Sequence, residues 1–188
     1  MSIFNKNLEE QSKLIKLLED LSSTVDRAII LCTSSLKSNG KVLLCGNGGS
    51  AADCQHIASE LTGRFIKDRI PINAIALTTD TSALTAISND FSFNEVFSRQ
   101  LQALGGPNDV LIAISTSGNS ANIIEAVEFA KNKNIKVIGL LGNEGGKLGK
   151  ICDISIIVPS TSTPRIQEAH ILIGHTLCEG IEIELGLV

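Results

Sequence analysis

The stretch Lys41-Val-Leu-Leu-Cys-Gly-Asn-Gly-Gly-Ser50 decides the fold class of this chain. Its four consecutive apolar residues predict a short buried strand, and the glycines after them predict a turn into a helix that begins near Ala51. A buried strand followed at once by a helix is the first half of a strand–helix–strand unit, whose two strands run parallel. The stretch therefore predicts a parallel sheet that is covered by helices.

The same alternation of strand and helix continues to the end of the chain. Further strands are predicted at 72–77, 109–114, 136–141 and 154–158, and helices at 51–65, 81–88, 94–104, 121–131 and 164–185. A glycine-rich loop that includes Lys147 and Lys150 follows the fourth strand, and Pro164 suits the first turn of the closing helix. The pattern predicts one doubly wound α/β domain with a five-stranded parallel sheet and helices on both faces.

Two amphipathic helices, at 8–18 and 25–36, are predicted before the first strand. Ser22-Ser-Thr24 is expected to cap the second of them, and Asn39-Gly40 to end it. We therefore divide the single domain, 1–188, into an N-terminal helical extension at 1–38 and an α/β core at 39–188. The extension stands outside the strand–helix winding, so it either forms contacts in an oligomer or covers its own sheet.

Composition excludes several classes of function. The 188 residues are 43% hydrophobic and 19% charged, with a net charge of −4 and no basic block, which argues against nucleic-acid binding. The absence of Trp and Tyr removes the aromatic platforms that stack single-stranded bases. Because no segment resembles a membrane span or a signal peptide, a cytoplasmic location is expected. Five scattered cysteines are predicted to be free and mostly buried: Cys32, Cys45, Cys54, Cys152 and Cys178.

The first glycine-rich loop matches the dinucleotide fingerprint G-x-G-x-x-A over Gly46–Ala51. That fingerprint requires an acidic residue at the end of the second strand, about 20 residues further on. Asp80 is the nearest acidic residue of that kind, and it comes too late. A lone match is weak, so a dinucleotide enzyme remains only as an alternative.

The second loop, Ser115-Thr-Ser-Gly-Asn-Ser120, gathers four hydroxyls where a helix begins. Many hydrogen-bond donors next to the positive end of a helix dipole suit a phosphate monoester. No Walker lysine follows, which argues against hydrolysis of a nucleoside triphosphate. The alternative is a helix cap with more hydroxyls than it needs.

The three histidines limit where acid–base or metal chemistry is available. His56 and Glu60 are four residues apart and share a helix face, while Gln167 and His175 both lie on the last helix. Both helices meet the carboxyl edge of the sheet, so the four side chains are expected to converge near the phosphate loop. Two His, one Glu and one Gln suit a borderline divalent ion such as zinc, and Glu60 with His175 suits paired proton transfer. The alternatives are a surface pair of His56 with Glu60 and a core histidine at 175.

Three further polar residues are candidates for substrate contacts. Arg64, one turn beyond Glu60, either contacts phosphate or is a solvated helix end. Asn89 and Asp90 either form a turn or bind sugar hydroxyls. His170 lies on a different side of the last helix from His175, so we assign it no role.

Together these motifs resemble the sugar isomerase (SIS) domain family, and most closely its phosphoheptose isomerases. The resemblance covers essentially the whole chain, and His56, Glu60, Gln167 and His175 occurring together are its most specific feature. Some members carry Asp where this chain has Pro164. The matching stretches are Gly46-Asn-Gly-Gly-Ser50, Leu61-Thr-Gly-Arg64, Ser88-Asn-Asp-Phe91, Phe97-Ser-Arg99, Ile114-Ser-Thr-Ser-Gly-Asn-Ser-Ala-Asn122 and Arg165-Ile-Gln-Glu168.

The resemblance implies a flavodoxin-like core and a cytoplasmic homotetramer with active sites between subunits. It implies isomerisation of sedoheptulose 7-phosphate to D-glycero-D-manno-heptose 7-phosphate, the first step toward activated heptose for lipopolysaccharide core or capsule. Some related SIS proteins are instead non-catalytic and bind a replication initiator, which is the alternative function. Neither nucleic acid nor a membrane is an expected partner.

The resemblance also assigns roles to individual residues. One zinc ion per subunit would be held by His56, Glu60, Gln167 and His175, and Glu60 with His175 would be the acid–base pair. The phosphate would bind to Ser115, Thr116, Ser117 and Ser120. Other substrate contacts would come from Asn47, Gly48, Gly49, Ser50, Glu60, Arg64, Asn89, Asp90 and Gln167.

Overall fold

A five-stranded, all-parallel sheet forms the centre of the molecule in a computed structural model that describes residues 1–188. The strand order is β2-β1-β3-β4-β5, the order of flavodoxin-like folds. Leu44 of β1 pairs with Ala76 of β2 on one side and with Ile112 of β3 on the other. The predicted fold class is confirmed. The strands are β1 (Val42–Gly46), β2 (Ala74–Ala76), β3 (Val110–Ser115), β4 (Lys136–Leu141) and β5 (Ile154–Ile157).

Eight α-helices surround this sheet. Alternate strand residues point to opposite faces, so Leu44 and Ile112 belong to one apolar cluster and Leu43 and Leu111 to the other. Both clusters are fully covered, which explains why the inner strands read as continuous apolar runs. The helices are α1 (Ile3–Leu17), α2 (Ser22–Lys37), α3 (Gly49–Thr62), α4 (Thr81–Asp90), α5 (Val96–Leu104), α6 (Ala121–Asn132), α7 (Leu148–Ile151) and α8 (Thr163–Glu184).

Several predicted boundaries differ from the structure. The second strand is three residues long instead of six, because it lies at the sheet edge and pairs only with β1. The helix predicted at 94–104 begins with a 3-10 turn at Phe93–Glu95. The helix predicted to reach residue 65 ends at Thr62, and the predicted glycine-rich loop contains α7.

The expected serine cap of α2 was wrong, whereas its predicted end is confirmed. A 3-10 turn at Leu18–Leu21 runs directly into α2, and no side chain caps this helix. The Ser22 hydroxyl donates to the Glu19 carbonyl instead. At the other end Asn39 adopts a positive φ of 59°, and Gly40 N–H donates to the Ser35 carbonyl.

The two N-terminal helices pack very differently. α2 packs on α8 and covers strands of its own sheet, including β5. α1 buries only Leu14 and leaves apolar side chains in solvent. Its attachment includes a hydrogen bond of 2.8 Å from Arg165 Nη1 of α8 to the Asn7 carbonyl. The exposed apolar side chains of α1 are Ile3, Phe4, Leu8, Ile15 and Leu17.

The remaining expectations about the whole chain concern cysteines and membrane spans. All five cysteines are free, and all but Cys152 are buried. None of the helices combines the length and the apolar composition needed to cross a bilayer.

Candidate active site

Both polar loops lie where the winding of the sheet reverses direction. The strand order places β2 on one side of β1 and β3 on the other, and ligands of open α/β sheets bind in the crevice at such a point. Gly46–Ser50 follows β1, and Ser115–Ser120 follows β3. Two reciprocal amide hydrogen bonds of 2.9 Å between Asn47 and Asn122 tie the first loop to the start of α6.

The first loop brings bare backbone close to α8. Gly48 has a positive φ of 56°, a conformation that favours glycine, and Gly49 begins α3. A Cβ on Gly49 would lie 2.3 Å from Nε2 of Gln167, so a larger residue there would displace that side chain. Gln167 therefore lies over the N-terminus of α3, and Ser50 is buried beside it in the first turn.

The hydroxyls of the second loop converge on one another. Ser115 Oγ lies 3.1 Å from Ser120 Oγ and 3.5 Å from Ser117 Oγ, and Gly118 N–H donates to Ser115 Oγ. Ser120 occupies the cap position of α6, yet its side chain makes no cap hydrogen bond. The capping alternative therefore does not account for these hydroxyls.

A neighbouring segment after β4 supports the second loop. Asn143 Nδ2 donates to the Thr116 carbonyl, and Lys147 N–H donates to Asn119 Oδ1, both at 3.0 Å. Gly118 has a positive φ of 65°, and a Cβ there would lie 2.1 Å from the Gly145 carbonyl oxygen. This support could not be predicted, because nothing in the sequence pairs residues 115–120 with 142–147.

Two histidines and a glutamate meet in the groove between α3 and α8. His56 Nε2 lies 3.2 Å from Glu60 Oε1 and 3.4 Å from His175 Nε2. The two helices pack closely here, because Gly174 leaves room for Ile57. His175 is half-buried at the protein surface, so the alternative of a core histidine does not apply.

This cluster of His56, Glu60 and His175 can hold a metal ion, since its three ligand atoms lie within 4.8 Å of one another. Atoms bonded to a tetrahedral ion at about 2.0–2.1 Å lie about 3.3–3.4 Å apart. The separations of His56 Nε2 from Glu60 and from His175, 3.2 and 3.4 Å, lie close to that value. Two imidazoles and one carboxylate are also donors that borderline divalent ions prefer.

The other predicted site residues lie outside the cluster within one chain. Gln167 precedes His175 by eight residues, which is about 12 Å along a helix. Arg64 is exposed and pairs with Asp68 at 3.4 Å. Asn89 and Asp90 end α4 in solvent, where Asn89 Nδ2 donates to Asp90 Oδ1 at 2.8 Å and neither bonds to a loop or to the cluster.

Two residues that could have supported other functions have structural roles. Asp80 Oδ1 accepts from Ala83 N–H and caps α4, so it is not the acidic group that a dinucleotide fingerprint requires. His170 is fully buried, with Nε2 3.1 Å from the Leu141 carbonyl oxygen. Burial lowers the pKa of His170 to about 4, which keeps this ring neutral.

Comparison with known proteins identifies the family of this chain. The family model described as SIS domain matches residues 8–142. Two curated phosphoheptose isomerases are close relatives: one from Aliarcobacter butzleri is 50% identical over 185 residues, covering 98% of each chain. The other, from a Nitratiruptor species, is 55% identical over 175 residues, covering 93% of this chain and 94% of its own. The chain belongs to the phosphoheptose isomerase family of SIS domain proteins.

A solved structure of a family member matches the fold of this chain over almost its full length. The phosphoheptose isomerase from Neisseria gonorrhoeae superposes with a TM-score of 0.91 at 46% sequence identity, covering 96% of this chain and 97% of that one. The SIS domain match ends at residue 142, before α8. The relatives matched over almost their full length therefore include the helix that carries Gln167 and His175.

Two residues beside the cluster, Asp53 and Phe65, were not predicted as part of the site. Asp53 precedes His56 by three residues and Glu60 by seven, so helical spacing alone could have placed it on their face. It is half-buried, and its Oδ2 has no hydrogen-bond partner. Burial raises the pKa of Asp53, and the nearby His56 partly opposes that rise. The ring of Phe65 lies 5.5 Å from that of His175, a contact with no signal in the sequence.

Proposed function

We propose that this chain is an aldose–ketose isomerase that converts sedoheptulose 7-phosphate into D-glycero-D-manno-heptose 7-phosphate, at the start of activated-heptose biosynthesis. The observation that carries the proposal is the convergence of His56, Glu60 and His175 from two helices, the histidines being 119 positions apart in the chain. Close relatives named phosphoheptose isomerase support the choice of substrate.

The reaction moves a proton between C1 and C2 of the open-chain sugar through an enediol. Glu60 is the base that takes the proton from one carbon and returns it to the other. His175 exchanges protons with the sugar oxygens during ring opening and enediol formation. Both groups are partly open to solvent, so a substrate can reach them.

The phosphate of the substrate binds to the second loop. Hydroxyls of Ser115, Thr116, Ser117 and Ser120 donate to its oxygens, and the N-terminus of α6 adds a favourable dipole. His56 lies about 10 Å along α3 from the first loop. The other proposed contacts are Asn47, Gly48, Gly49, Ser50, Arg64, Asn89, Asp90 and Gln167.

The proposed metal is zinc, one ion per subunit, held by His56, Glu60, Gln167 and His175. A bound divalent ion would polarise the sugar oxygens and lower the energy of the charge that develops on them. Glu60 has two carboxylate oxygens, so one can serve the ion while the other accepts the proton. Because Gln167 stands about 12 Å from His175 along α8, the fourth ligand would be Gln167 of the partner subunit.

A homotetramer with active sites between subunits is the proposed assembly. The exposed apolar side chains of α1 support a role of residues 1–38 in subunit contacts. A groove of about 270 Å³ lies between this extension and α8. We also propose that the enzyme acts in the cytoplasm, where its sugar phosphate substrate would be available.

The non-catalytic alternative, a protein that binds a replication initiator, is less well supported. A scaffold has no need for two imidazoles and a carboxylate that converge from two helices in the geometry of a metal site. Full-length relatives named as isomerases also favour the enzyme.

The test is direct conversion of the substrate. Metal-stripped protein is incubated with sedoheptulose 7-phosphate, with and without Zn²⁺, and aldose formation is followed by NMR. We expect conversion that rises with Zn²⁺. Conversion that is unaffected by Zn²⁺ would retain the isomerase and remove the catalytic metal. No conversion in either sample would overturn the proposed activity and favour the binding protein.

A further inference from the structure

A buried ion pair joins the two helices of the cluster at their C-terminal ends. Arg69 Nε lies 2.7 Å from Glu182 Oε1, and their side chains are only 2% and 0% exposed. Arg69 belongs to the segment that follows α3, and Glu182 lies two turns after His175 on α8. No step of the proposed reaction uses either residue.

The arginine holds the last turn of α3. Arg69 Nη2 donates to the Glu60 carbonyl and Nη1 to the Leu61 carbonyl, both at 2.7 Å, and Nη1 also donates to the Gly63 carbonyl at 3.2 Å. Carbonyls at a helix end lack partners within the helix. The guanidinium therefore fixes the backbone of the residue whose side chain is the proposed base.

The glutamate holds the segment that packs on His175. Glu182 Oε1 accepts from Phe65 N–H at 3.1 Å, and Oε2 accepts from Ile66 N–H at 3.3 Å. These bonds anchor the backbone of Phe65, whose ring is tilted by 30° against the His175 imidazole. Burial raises the pKa of Glu182, but the bonds from Arg69, Phe65 and Ile66 outweigh it, and the net pKa is lowered.

We propose that Arg69 and Glu182 are positioning residues that set the relative orientation of Glu60 and His175. The inference rests on the proposed function for its catalytic consequence. One carboxylate and one guanidinium contact both sides of the cluster without touching a reacting atom. A buried ion pair adds little net stability, so a role in fixing geometry accounts for its position better than stability does.

A second buried carboxylate provides a matched control. Asp109 also accepts from one cation, Lys41 Nζ, and from two backbone N–H groups, those of Lys41 and Gly106. It lies at the start of β3, at the amino edge of the sheet and away from the cluster. Asp109→Asn should therefore disturb a similar set of bonds without reaching the active site.

The experiment compares Glu182→Gln, Arg69→Lys and Asp109→Asn in the full-length protein. An amide cannot accept at both of its ends, and a lysine cannot bond several carbonyls as the planar guanidinium does. We expect the first two variants to lower kcat about tenfold or more with little change in KM, and to weaken Zn²⁺ binding about 10- to 100-fold, as loss of groups that orient metal ligands does. Asp109→Asn should lower the melting temperature and leave kcat and the affinity for Zn²⁺ within about twofold of wild type.

A readout that needs neither activity nor metal separates this inference from the proposed function. The imidazole NMR signals are few, because the chain has three histidines, and His175→Gln identifies the signal of residue 175. We expect that signal to shift in Glu182→Gln and Arg69→Lys as the Phe65 ring moves, and to stay in place in Asp109→Asn.

Phe65→Leu tests the same contact in case the buried variants do not fold. It should lower kcat and leave KM unchanged. Folded variants with unchanged kcat, Zn²⁺ affinity and His175 signal would overturn the inference. A shifted signal in a protein without isomerase activity would keep the positioning role and reject the enzyme.

Discussion

The polar groups at the two edges of the sheet differ in their hydrogen-bond partners. At the amino edge Asp109 accepts three hydrogen bonds, and Ser35 Oγ donates to the Asn108 carbonyl at 2.6 Å. At the carboxyl edge the hydroxyls of the second loop mostly face one another, and Ser120 leaves its cap position unused. Polar groups that bond to other segments hold a fold together, whereas hydroxyls that bond only within their own loop can exchange those bonds for a ligand.

The largest effect we expect is on turnover. Glu60→Gln keeps the shape of the side chain and removes the base, so kcat should fall by about 10²- to 10⁴-fold. Phosphate binding should be nearly unchanged, because it depends on the second loop. Steady-state kinetics and calorimetry with the sugar phosphate measure both quantities. Near-normal turnover in this variant would remove Glu60 as the base.

A pair of glycine substitutions separates stability from binding. A Cβ on Gly118 would lie 2.1 Å from the Gly145 carbonyl oxygen, and one on Gly40 would lie 2.1 Å from the Asn108 carbonyl oxygen. Gly118→Ala and Gly40→Ala should each destabilise the protein by about 1–3 kcal/mol in urea unfolding, because backbone must shift. Only Gly118→Ala should also weaken sugar phosphate binding. Equal losses of binding would contradict the contrast between the two edges.

A serine pair tests the same contrast more gently. Ser117→Ala removes one exposed hydroxyl from the phosphate loop and should weaken sugar phosphate binding about tenfold, or about 1.4 kcal/mol, since hydrogen bonds to charged groups are the stronger ones. Its unfolding free energy should hardly change. Ser35→Ala should do the reverse, with about 1–3 kcal/mol lost from stability because the Asn108 carbonyl is left without its partner. Titration calorimetry and urea unfolding measure the two effects.

The smallest effect we expect is on the pH dependence of stability. The folded pKa of Glu182 is lowered, so its ion pair contributes full stability above the unfolded pKa of about 4.3 and loses that contribution as pH falls through the folded pKa. The stability difference between wild type and Glu182→Gln should therefore be constant above about pH 5 and shrink below about pH 4. Urea unfolding across that range measures it. A difference that grows in acid would show that the carboxylate is not paired as described.

Local patterns predicted much of the fold and part of the site. The apolar runs of β1, β3 and β4 were found because both faces of the sheet are covered. His56 and Glu60 were paired correctly by their spacing of four residues on one helix. The short edge strand β2 and the serine cap of α2 were placed less well, because each depends on what lies next to it and not on its own residues.

Other parts of the site depend on distant segments, which one sequence cannot pair. The segment at 142–147 supports the phosphate loop, and Arg69 bonds Glu182 across 113 residues of chain. Gln167 was expected to converge with His175, and the structure instead sets it over Gly49. Helical rise separates the two residues on α8 by about 12 Å, so Gln167 stands apart from the cluster of its own chain.

The sequence by itself determined the alternation of strands and helices, the two polar loops and the residue types that can do chemistry. Those features follow from periodicity, glycine conformation and side-chain chemistry, which act over a few residues. Only the tertiary structure decided which strand lies beside which, that His175 meets His56, and that Arg69 and Glu182 hold the groove around them. Those contacts arise from packing between segments far apart in the chain, and packing depends on the complementary shapes of assembled elements.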